Sequence, residues 1–215
     1  MQELVNVTAI VLSSTPVGEY DRRVVLLTKE RGKITAFAKG ARRQTSKLIA
    51  ATNLFAFGQF KLYPGRSSYT MTDAVIQNYF EELRVDFEGA YYGMFFLEVC
   101  DYYTRENNDE KEFLKLLYQS LKALLVKSLN RKLVQCIFEM KAMVINGEFP
   151  GMPSDGIWQE STVYAVSYIT NSSIEKLYTF TVSDTVLEEM IRIAERYRLR
   201  YIDREFKSLE MLSFV

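Results

Sequence analysis

The stretch Arg31–Lys47, RGKITAFAKGARRQTSK, holds six Lys or Arg side chains and no acidic residue. Its first half alternates in character, which predicts a strand over Lys33–Ala38. On that strand one face carries Ile34, Ala36 and Ala38, and the other carries Lys33, Thr35 and Phe37. Gly40 interrupts the pattern and predicts a turn. Because the chain as a whole has a formal net charge of zero, this local excess of positive charge favours contact with a nucleic-acid backbone.

The segments around this strand show the same two-residue period. They predict four more strands, at Val5–Leu12, Arg23–Thr28, Phe55–Tyr63 and Ser68–Ile76. Ser13–Pro16 is expected to be a turn, Gly58 a bend or bulge, and Gln44–Asn53 a connection with room for one helical turn. Five short strands within about 75 residues, with no amphipathic helix between them, are typical of a small barrel. An OB-type barrel is the first expectation and an SH3-like barrel the second.

From Asn78 onward the apolar period lengthens to about three and a half residues, which indicates helices. Phe87–Cys100 is apolar nearly all round and predicts a buried helix that can extend to Tyr103. Further helices are predicted around Phe113–Leu124 and Leu133–Val144, over Asp184–Tyr201 with Ser183 as its N-cap, and as a last turn or two in Arg204–Leu212. Ser161–Thr170 fits either a helix or a strand. The predicted fold class is therefore α+β, with a five-stranded OB-fold barrel in residues 1–80 and a mainly helical domain in residues 81–215.

The charges are unevenly distributed along the chain. Residues 1–66 contain 11 Lys or Arg against 4 Asp or Glu, which leaves 16 against 23 in residues 67–215. A basic barrel and an acidic helical domain would have different tasks. Neither a signal peptide nor an apolar run long enough to cross a membrane is present, which predicts a cytoplasmic protein.

The composition excludes several kinds of active site. The chain has no histidine, which rules out Ser/His and Cys/His nucleophiles, histidine general bases and histidine-ligated metals. The two cysteines, Cys100 and Cys136, lie in apolar helical patterns and are expected to be reduced core residues. Glu106, Asp109 and Glu110 lack a metal-binding spacing, so a solvated connection is favoured over a nuclease site. We expect no cofactor, no bound metal and no enzymatic activity.

Several motifs occur together with a specific spacing. In the barrel region they are Asp21-Arg22 after Gly18-Glu19, the run LLTKERGKITAFAKGARR at residues 26–43, and LYPGRSSYTMTDA at residues 62–74. Near the end of the chain they are IEKLYTFTVSDTVLEEM at residues 174–190 and DREFKSLEML at residues 203–212. In these motifs the chain resembles RecO, a family of bacterial recombination mediators. The resemblance is strong in residues 5–80 and patchy after residue 160, where the tail looks like that of Firmicutes-type members.

The resemblance implies a DNA repair protein of the RecF pathway, with an OB-fold N-terminal domain and a helical C-terminal domain. It implies binding of single- and double-stranded DNA, and annealing of complementary strands without a nucleotide. The implied partners are RecR, single-strand DNA-binding protein and, indirectly, RecA, and the implied location is the nucleoid. Many relatives carry a four-cysteine zinc module in the helical domain, whereas Pro153–Tyr164 contains no cysteine. We therefore expect no structural zinc, and expect Trp158 with neighbouring apolar residues to fill that corner.

The residues expected to contact DNA follow from the charge pattern and the resemblance together. Candidates for phosphate contact are Arg22, Arg31, Lys33, Lys39, Arg42, Arg43 and Lys47, although Arg22 and Arg23 could equally pair with Asp21. Candidates for stacking on bases are Phe37 and Tyr69, with Phe57 and Tyr63 as further possibilities, and core packing is the alternative for every ring. The alternative function is an interaction scaffold whose barrel binds a protein partner rather than DNA.

Overall fold

The computed structural model describes residues 3–214. Five strands come first: β1 (Val5–Val17), β2 (Asp21–Thr28), β3 (Gly32–Ala38), β4 (Phe57–Pro64) and β5 (Tyr69–Asn78). The helices that follow are α1 (Glu81–Val85), α2 (Phe87–Tyr103), α3 (Lys111–Leu124), α4 (Arg131–Ile145), α5 (Glu160–Asn171), α6 (Asp184–Tyr201) and α7 (Lys207–Leu212). Short 3-10 turns lie at Ala50–Thr52 and Ile174–Lys176.

The strands close into a barrel in the order β1-β2-β3-β5-β4. β3 and β5 run parallel, and the other paired strands run antiparallel. This five-stranded closed arrangement is OB-like and confirms the first expectation from the sequence. The alternation predicted for β3 is also confirmed, because Ile34, Ala36 and Ala38 are buried in the barrel interior while the intervening residues are half-buried on the outer face.

β1 differs from its prediction, which placed a turn at Ser13–Pro16. The strand instead continues to Val17, with a bulge between Val11 and Ser13. Its first half pairs with β4 and its second half with β2, so one long strand has to bend around the barrel. A bulge supplies such a bend without ending the strand. The bulge predicted at Gly58 is confirmed by a shift of register between Phe57 and Gly58.

The helix predictions are confirmed with small shifts at the ends. α2 extends to Tyr103 and α6 spans the predicted residues. The Ser183 hydroxyl accepts a hydrogen bond from the Val186 amide at 3.5 Å and caps α6. Ser161–Thr170, whose type the sequence left open, lies in α5. Within residues 3–214, no helix combines the length and hydrophobicity needed to cross a bilayer.

The chain forms two compact units. The barrel unit contains the residues up to Arg84 together with Leu97–Leu114, and the helical unit contains Val85–Phe96 together with the residues from Lys115 onward. In the helical unit, the rings of Phe96 and Phe138 stack with centroids 4.2 Å apart, and Phe95 packs edge-on against Phe206 at 5.4 Å. The domain boundary drawn at residue 80 stays a prediction.

The distribution of charge between these two units differs from the one expected. The acidic excess is confined to residues 73–112, with 3 Lys or Arg against 11 Asp or Glu, whereas residues 113–215 are nearly balanced at 13 against 12. Nine of those 11 carboxylates belong to the barrel unit. The negative charge that balances the basic stretch therefore lies largely in the same unit, and the expected contrast between a basic barrel and an acidic helical domain does not hold.

Candidate nucleic-acid interface

A row of side chains crosses the outer wall of the barrel, perpendicular to the strands. The register places Tyr63 of β4 opposite Thr70 of β5, Thr70 opposite Phe37 of β3, and Phe37 opposite Arg23 of β2. Thr15 of β1 lies opposite Arg23 and ends the row. Residues directly opposite each other have Cβ atoms about 5 Å apart. These five residues, which we call the outer row, place two aromatic rings and one guanidinium on a continuous surface.

The outer row is open because it lies at one end of the β2–β3 pair. Tyr63 is 45% exposed and Arg23 is exposed, while Phe37 is half-buried. Towards the other end of β2, the side chains of Val25 and Leu27 also alternate outward, yet they are only 8% and 0% exposed. On β2, the end that carries the row is therefore the one that is accessible to a ligand.

Two turns lie directly beyond the outer row and are tied to each other. One is Gly18–Tyr20 between β1 and β2, and the other is Lys39–Arg43 after β3; together we call them the turn pair. The Asp21 carboxylate accepts a hydrogen bond from the Gly40 amide at 2.7 Å. The Arg42 amide donates to the Tyr20 carbonyl at 2.8 Å. These bonds hold the two turns as one surface at the end of β2 and β3.

The arginines of the turn pair have different surroundings. The Arg42 guanidinium donates to the carbonyl oxygens of Gly18 and Glu19, at 3.3 and 3.1 Å. The Arg43 guanidinium lies over the Tyr20 ring, 4.7 Å from its centroid, which is a cation–π contact. The Arg42 side chain therefore stabilises the first turn. Arg43 and Lys39 are both exposed, and Arg43 lies beside the Tyr20 ring.

Lys33, at the other end of β3, and Arg31, just before that strand, contact α2 and the α2–α3 connection of the same unit. The Lys33 ammonium donates to the carboxylate and the backbone carbonyl of Asp101, at 3.0 and 2.5 Å. The Lys33 amide donates to the Arg105 carbonyl at 2.9 Å, and the Arg31 carbonyl accepts from the Asn107 amide at 3.0 Å. The Lys33 side chain is only 22% exposed. Its charge thus has a partner within the unit, and a phosphate would have to compete with Asp101.

Three other predicted residues are also occupied elsewhere. Lys47 forms an ion pair with Asp73 at 2.9 Å, and this pairing lowers the pKa of the Asp73 carboxyl. Arg22 donates to the Ser14 hydroxyl at 3.1 Å, and its Nε is buried with no acceptor within the described residues. Tyr69 lies opposite Ala36 and packs against the hydrophobic cluster inside the barrel. None of these three side chains belongs to the outer row.

The structure therefore divides the predicted residues into two groups. Lys39, Arg42, Arg43 and Phe37 come together at the outer row and the turn pair, whereas Arg22, Arg31, Lys33, Lys47 and Tyr69 do not. Sequence reasoning missed Tyr20 and left Arg23 undecided. Strand alternation could have separated Arg22 from Arg23, because Val24 and Leu26 are clearly interior residues and Arg22 shares their face. The role of Tyr20 depends on Arg43, which lies in another turn, so no pattern in the sequence around Tyr20 indicates it.

The acidic run after α2 has structural contacts. Glu110 is 7% exposed and accepts a hydrogen bond from the Arg105 amide at 3.0 Å. Asp109 pairs with Lys111 at 3.1 Å, and this hydrogen bond lowers the pKa of its carboxyl. Across the described residues, no three His, Cys, Asp or Glu side chains converge as metal ligands. These carboxylates shape the connection that holds Lys33 and Arg31.

The expectations for Cys100, Cys136 and Trp158 can also be compared with the structure. Both cysteines are free and buried, and burial raises the pKa of each thiol.

The Trp158 indole donates to the Pro153 carbonyl at 3.3 Å, and the Arg192 guanidinium lies 5.6 Å from its ring centroid. Trp158 thus packs at the expected corner. Its neighbour Ile157 takes no part, since it is fully exposed.

Two family models match this chain. Residues 1–80 match the one described as Recombination protein O N terminal, and residues 84–155 match Recombination protein O C terminal. The chain belongs to the RecO family. The resemblance seen in its sequence motifs is thereby confirmed.

Curated RecO proteins align along nearly the whole chain. Each of the following three is named DNA repair protein RecO. The protein from Acetivibrio thermocellus is 25% identical over 95% of this chain and 94% of its own length. The protein from Alkaliphilus metalliredigens is 27% identical over 97% and 98%, and that from Clostridium perfringens 26% identical over 99% and 98%. The similarity to RecO therefore extends over both units.

Proposed function

We propose that this protein binds DNA through the outer row and the turn pair and acts as a mediator of DNA repair and homologous recombination. The observation that carries the proposal is that cations and aromatic rings lie on one open surface of an OB-like barrel: Arg23 lies beside Phe37 in the outer row that also contains Tyr63, and Lys39 and Arg43 lie in the turn pair beyond it. Membership of the RecO family supports it, since the curated relatives are named DNA repair proteins. In this role the protein positions DNA strands and catalyses no chemical reaction.

The mechanism rests on the release of counterions. Each Lys or Arg that approaches a phosphate displaces a condensed cation, so binding weakens steeply as salt rises. Two strands whose phosphates are partly neutralised repel each other less, which favours annealing without a nucleotide. The proposal includes RecR, single-strand DNA-binding protein and RecA as partners, with RecA loaded onto strands that single-strand DNA-binding protein had coated. Binding to chromosomal DNA would place the protein at the nucleoid in the cytoplasm.

The first test is fluorescence anisotropy with single-stranded and duplex probes across a salt series. Lys39→Glu combined with Arg43→Glu should weaken binding to both probes. The slope of log affinity against log salt should become shallower by roughly 0.7 per lost contact for single strands and 0.9 for duplex. Arg42 is unsuitable for this variant, because its guanidinium braces Gly18 and Glu19.

The matched control is Lys127→Glu combined with Lys176→Glu. It changes the net charge by the same amount on exposed lysines of the helical unit. Binding by this control should remain within about twofold of the unaltered protein, since long-range effects of surface charge are screened by salt. If both double variants behave alike, the proposed interface is wrong.

A protein-interaction scaffold remains the second candidate function. The observation in its favour is that Lys33 and Lys47, two of the predicted phosphate contacts, are paired with Asp101 and Asp73. A barrel that binds a protein partner would show weak DNA binding with a shallow dependence on salt, whereas a slope that indicates three or more phosphate contacts supports the DNA-binding role.

A further inference from the structure

Three exposed or half-exposed aromatic rings accompany the cations of the proposed DNA surface. Tyr63 and Phe37 belong to the outer row with only Thr70 between them, so they are two strand spacings apart, or about 10 Å. Tyr20 lies in the turn pair and is 42% exposed. In residues 3–214, neither the Tyr63 ring nor the Phe37 ring stacks on another aromatic ring. Tyr63 and Tyr20 are therefore exposed enough to contact a ligand.

Tyr20 is held more firmly than an ordinary turn residue. Its backbone carbonyl accepts from the Arg42 amide at 2.8 Å, and its ring carries the Arg43 guanidinium 4.7 Å from the centroid. The guanidinium lies over one face of the ring, and the residue is still 42% exposed, which gives a ligand access to it. A fixed ring loses little conformational freedom when it binds, which favours stacking on a flat partner.

Two of the three rings each have a guanidinium beside them. Arg23 adjoins Phe37 on the outer row, and Arg43 adjoins Tyr20 in the turn pair. A single strand can place its bases on the rings and its phosphates at the guanidinium groups. In a duplex the bases are paired and stacked on each other, so their faces are closed to protein rings. The cations serve both forms of DNA, but the rings serve only unpaired nucleotides.

We infer that Tyr20, Phe37 and Tyr63 form a base-stacking track that makes this surface prefer unpaired nucleotides over duplex DNA. The inference rests on the proposed function and adds to it the residues that determine the choice between the two forms. Tyr20 and Tyr63 are the decisive residues, because both rings are well exposed and their removal leaves the barrel interior untouched. Arg42 is a positioning residue that keeps Tyr20 in place.

The test uses the full chain with a labelled single strand of roughly 16 nucleotides, the upper site size of one OB fold, and a duplex of the same length. Tyr20→Ser and Tyr63→Ser should each weaken single-strand binding by roughly 5- to 150-fold, the range for the loss of one stacked base. Duplex binding should change by less than about twofold, and the salt slope should stay unchanged, because no phosphate contact is removed. Tyr20→Phe and Tyr63→Phe should bind as the unaltered protein does.

The matched control is Tyr164→Ser, which removes a 72% exposed tyrosine from α5 and should alter neither affinity. A second variant, Tyr63→Trp, reports stacking directly, because its added indole fluorescence should be quenched by the single strand and not by the duplex. Equal losses on both probes, or no loss on either, would overturn the track and leave the proposed function standing. If the unaltered protein binds neither probe in a salt-dependent manner, the proposed function itself fails.

Discussion

Gly32 lies where the β2–β3 turn meets the α2–α3 connection. Its φ is +65°, and a Cβ atom at this position would lie 2.2 Å from the Arg105 carbonyl oxygen. Gly32→Ala should therefore lower the free energy of unfolding by roughly 1–2 kcal/mol, because alanine disfavours the left-handed region. The neighbouring backbone would also have to move, which adds to the loss. We expect a total loss above about 2 kcal/mol in the free energy of unfolding, measured by urea denaturation.

Gly18→Ala is the control for that substitution. Gly18 has a similar φ of +56°, but among the residues that the structure describes no heavy atom of another part of the chain would lie within 4 Å of a Cβ atom added there. Only the conformational cost should remain, at roughly 1–2 kcal/mol. Equal losses for the two variants would show that the approach of Arg105 to Gly32 does not constrain the folded state.

At the scale of secondary-structure elements, the sequence predicted what depends on local periodicity. The alternation of Ile34, Ala36 and Ala38 and the helical stripes around Phe113–Leu124 and Leu133–Val144 identified their elements, because burial on one face imposes the period. The length of β1 was not predictable, since the bulge after Val11 is needed only when one strand must pair with both β2 and β4. The composition of Ser13–Pro16 is typical of a turn, but closure of the barrel makes this segment part of a strand.

The part of the candidate interface that depends on local sequence was also predictable. The basic stretch and Phe37 were identified from composition and alternation. The pairing of Lys33 with Asp101 was not, because the partner lies 68 positions away in the chain. Tyr20 and Tyr63 gain their meaning from register and from contacts between turns, which sequence periodicity does not contain.

The N-caps of two helices give a prediction at this scale. The Asn130 side chain accepts from the Lys132 amide at 2.9 Å at the start of α4, whereas the Ser183 cap of α6 is longer, at 3.5 Å. Asn130→Ala should lower the free energy of unfolding by about 1 kcal/mol. Ser183→Ala should cost less than half as much, because a hydrogen bond at that distance is weak. Urea denaturation of both variants ranks them, and the reverse order would contradict the geometry.

At the scale of the whole molecule, α4 and α6 of the helical unit are joined by a buried ion pair. The Glu139 carboxylate accepts from the Arg198 guanidinium at 2.7 Å and from the Gln135 amide group at 2.6 Å. The two charged side chains are only 4% and 15% exposed. Burial raises the pKa of the Glu139 carboxyl above its ordinary value of 4.5, and the charge of Arg198 opposes this shift.

Arg198→Met should leave the buried Glu139 carboxylate without its cation and lower the free energy of unfolding by about 3–5 kcal/mol at neutral pH. Without the arginine, the pKa of Glu139 in the folded state rises further above that in the unfolded state. The loss in the free energy of unfolding is therefore absent below the pKa that Glu139 has in the unfolded state. It grows as the pH rises from that value through the higher pKa that Glu139 has in the folded state. Urea denaturation at about pH 5 and pH 8 should show the smaller deficit at the lower pH, and the double variant Glu139→Leu with Arg198→Met should recover most of the loss. If the loss in the free energy of unfolding does not change with pH, it instead arises from the lost packing of the arginine stem, since that contact does not titrate.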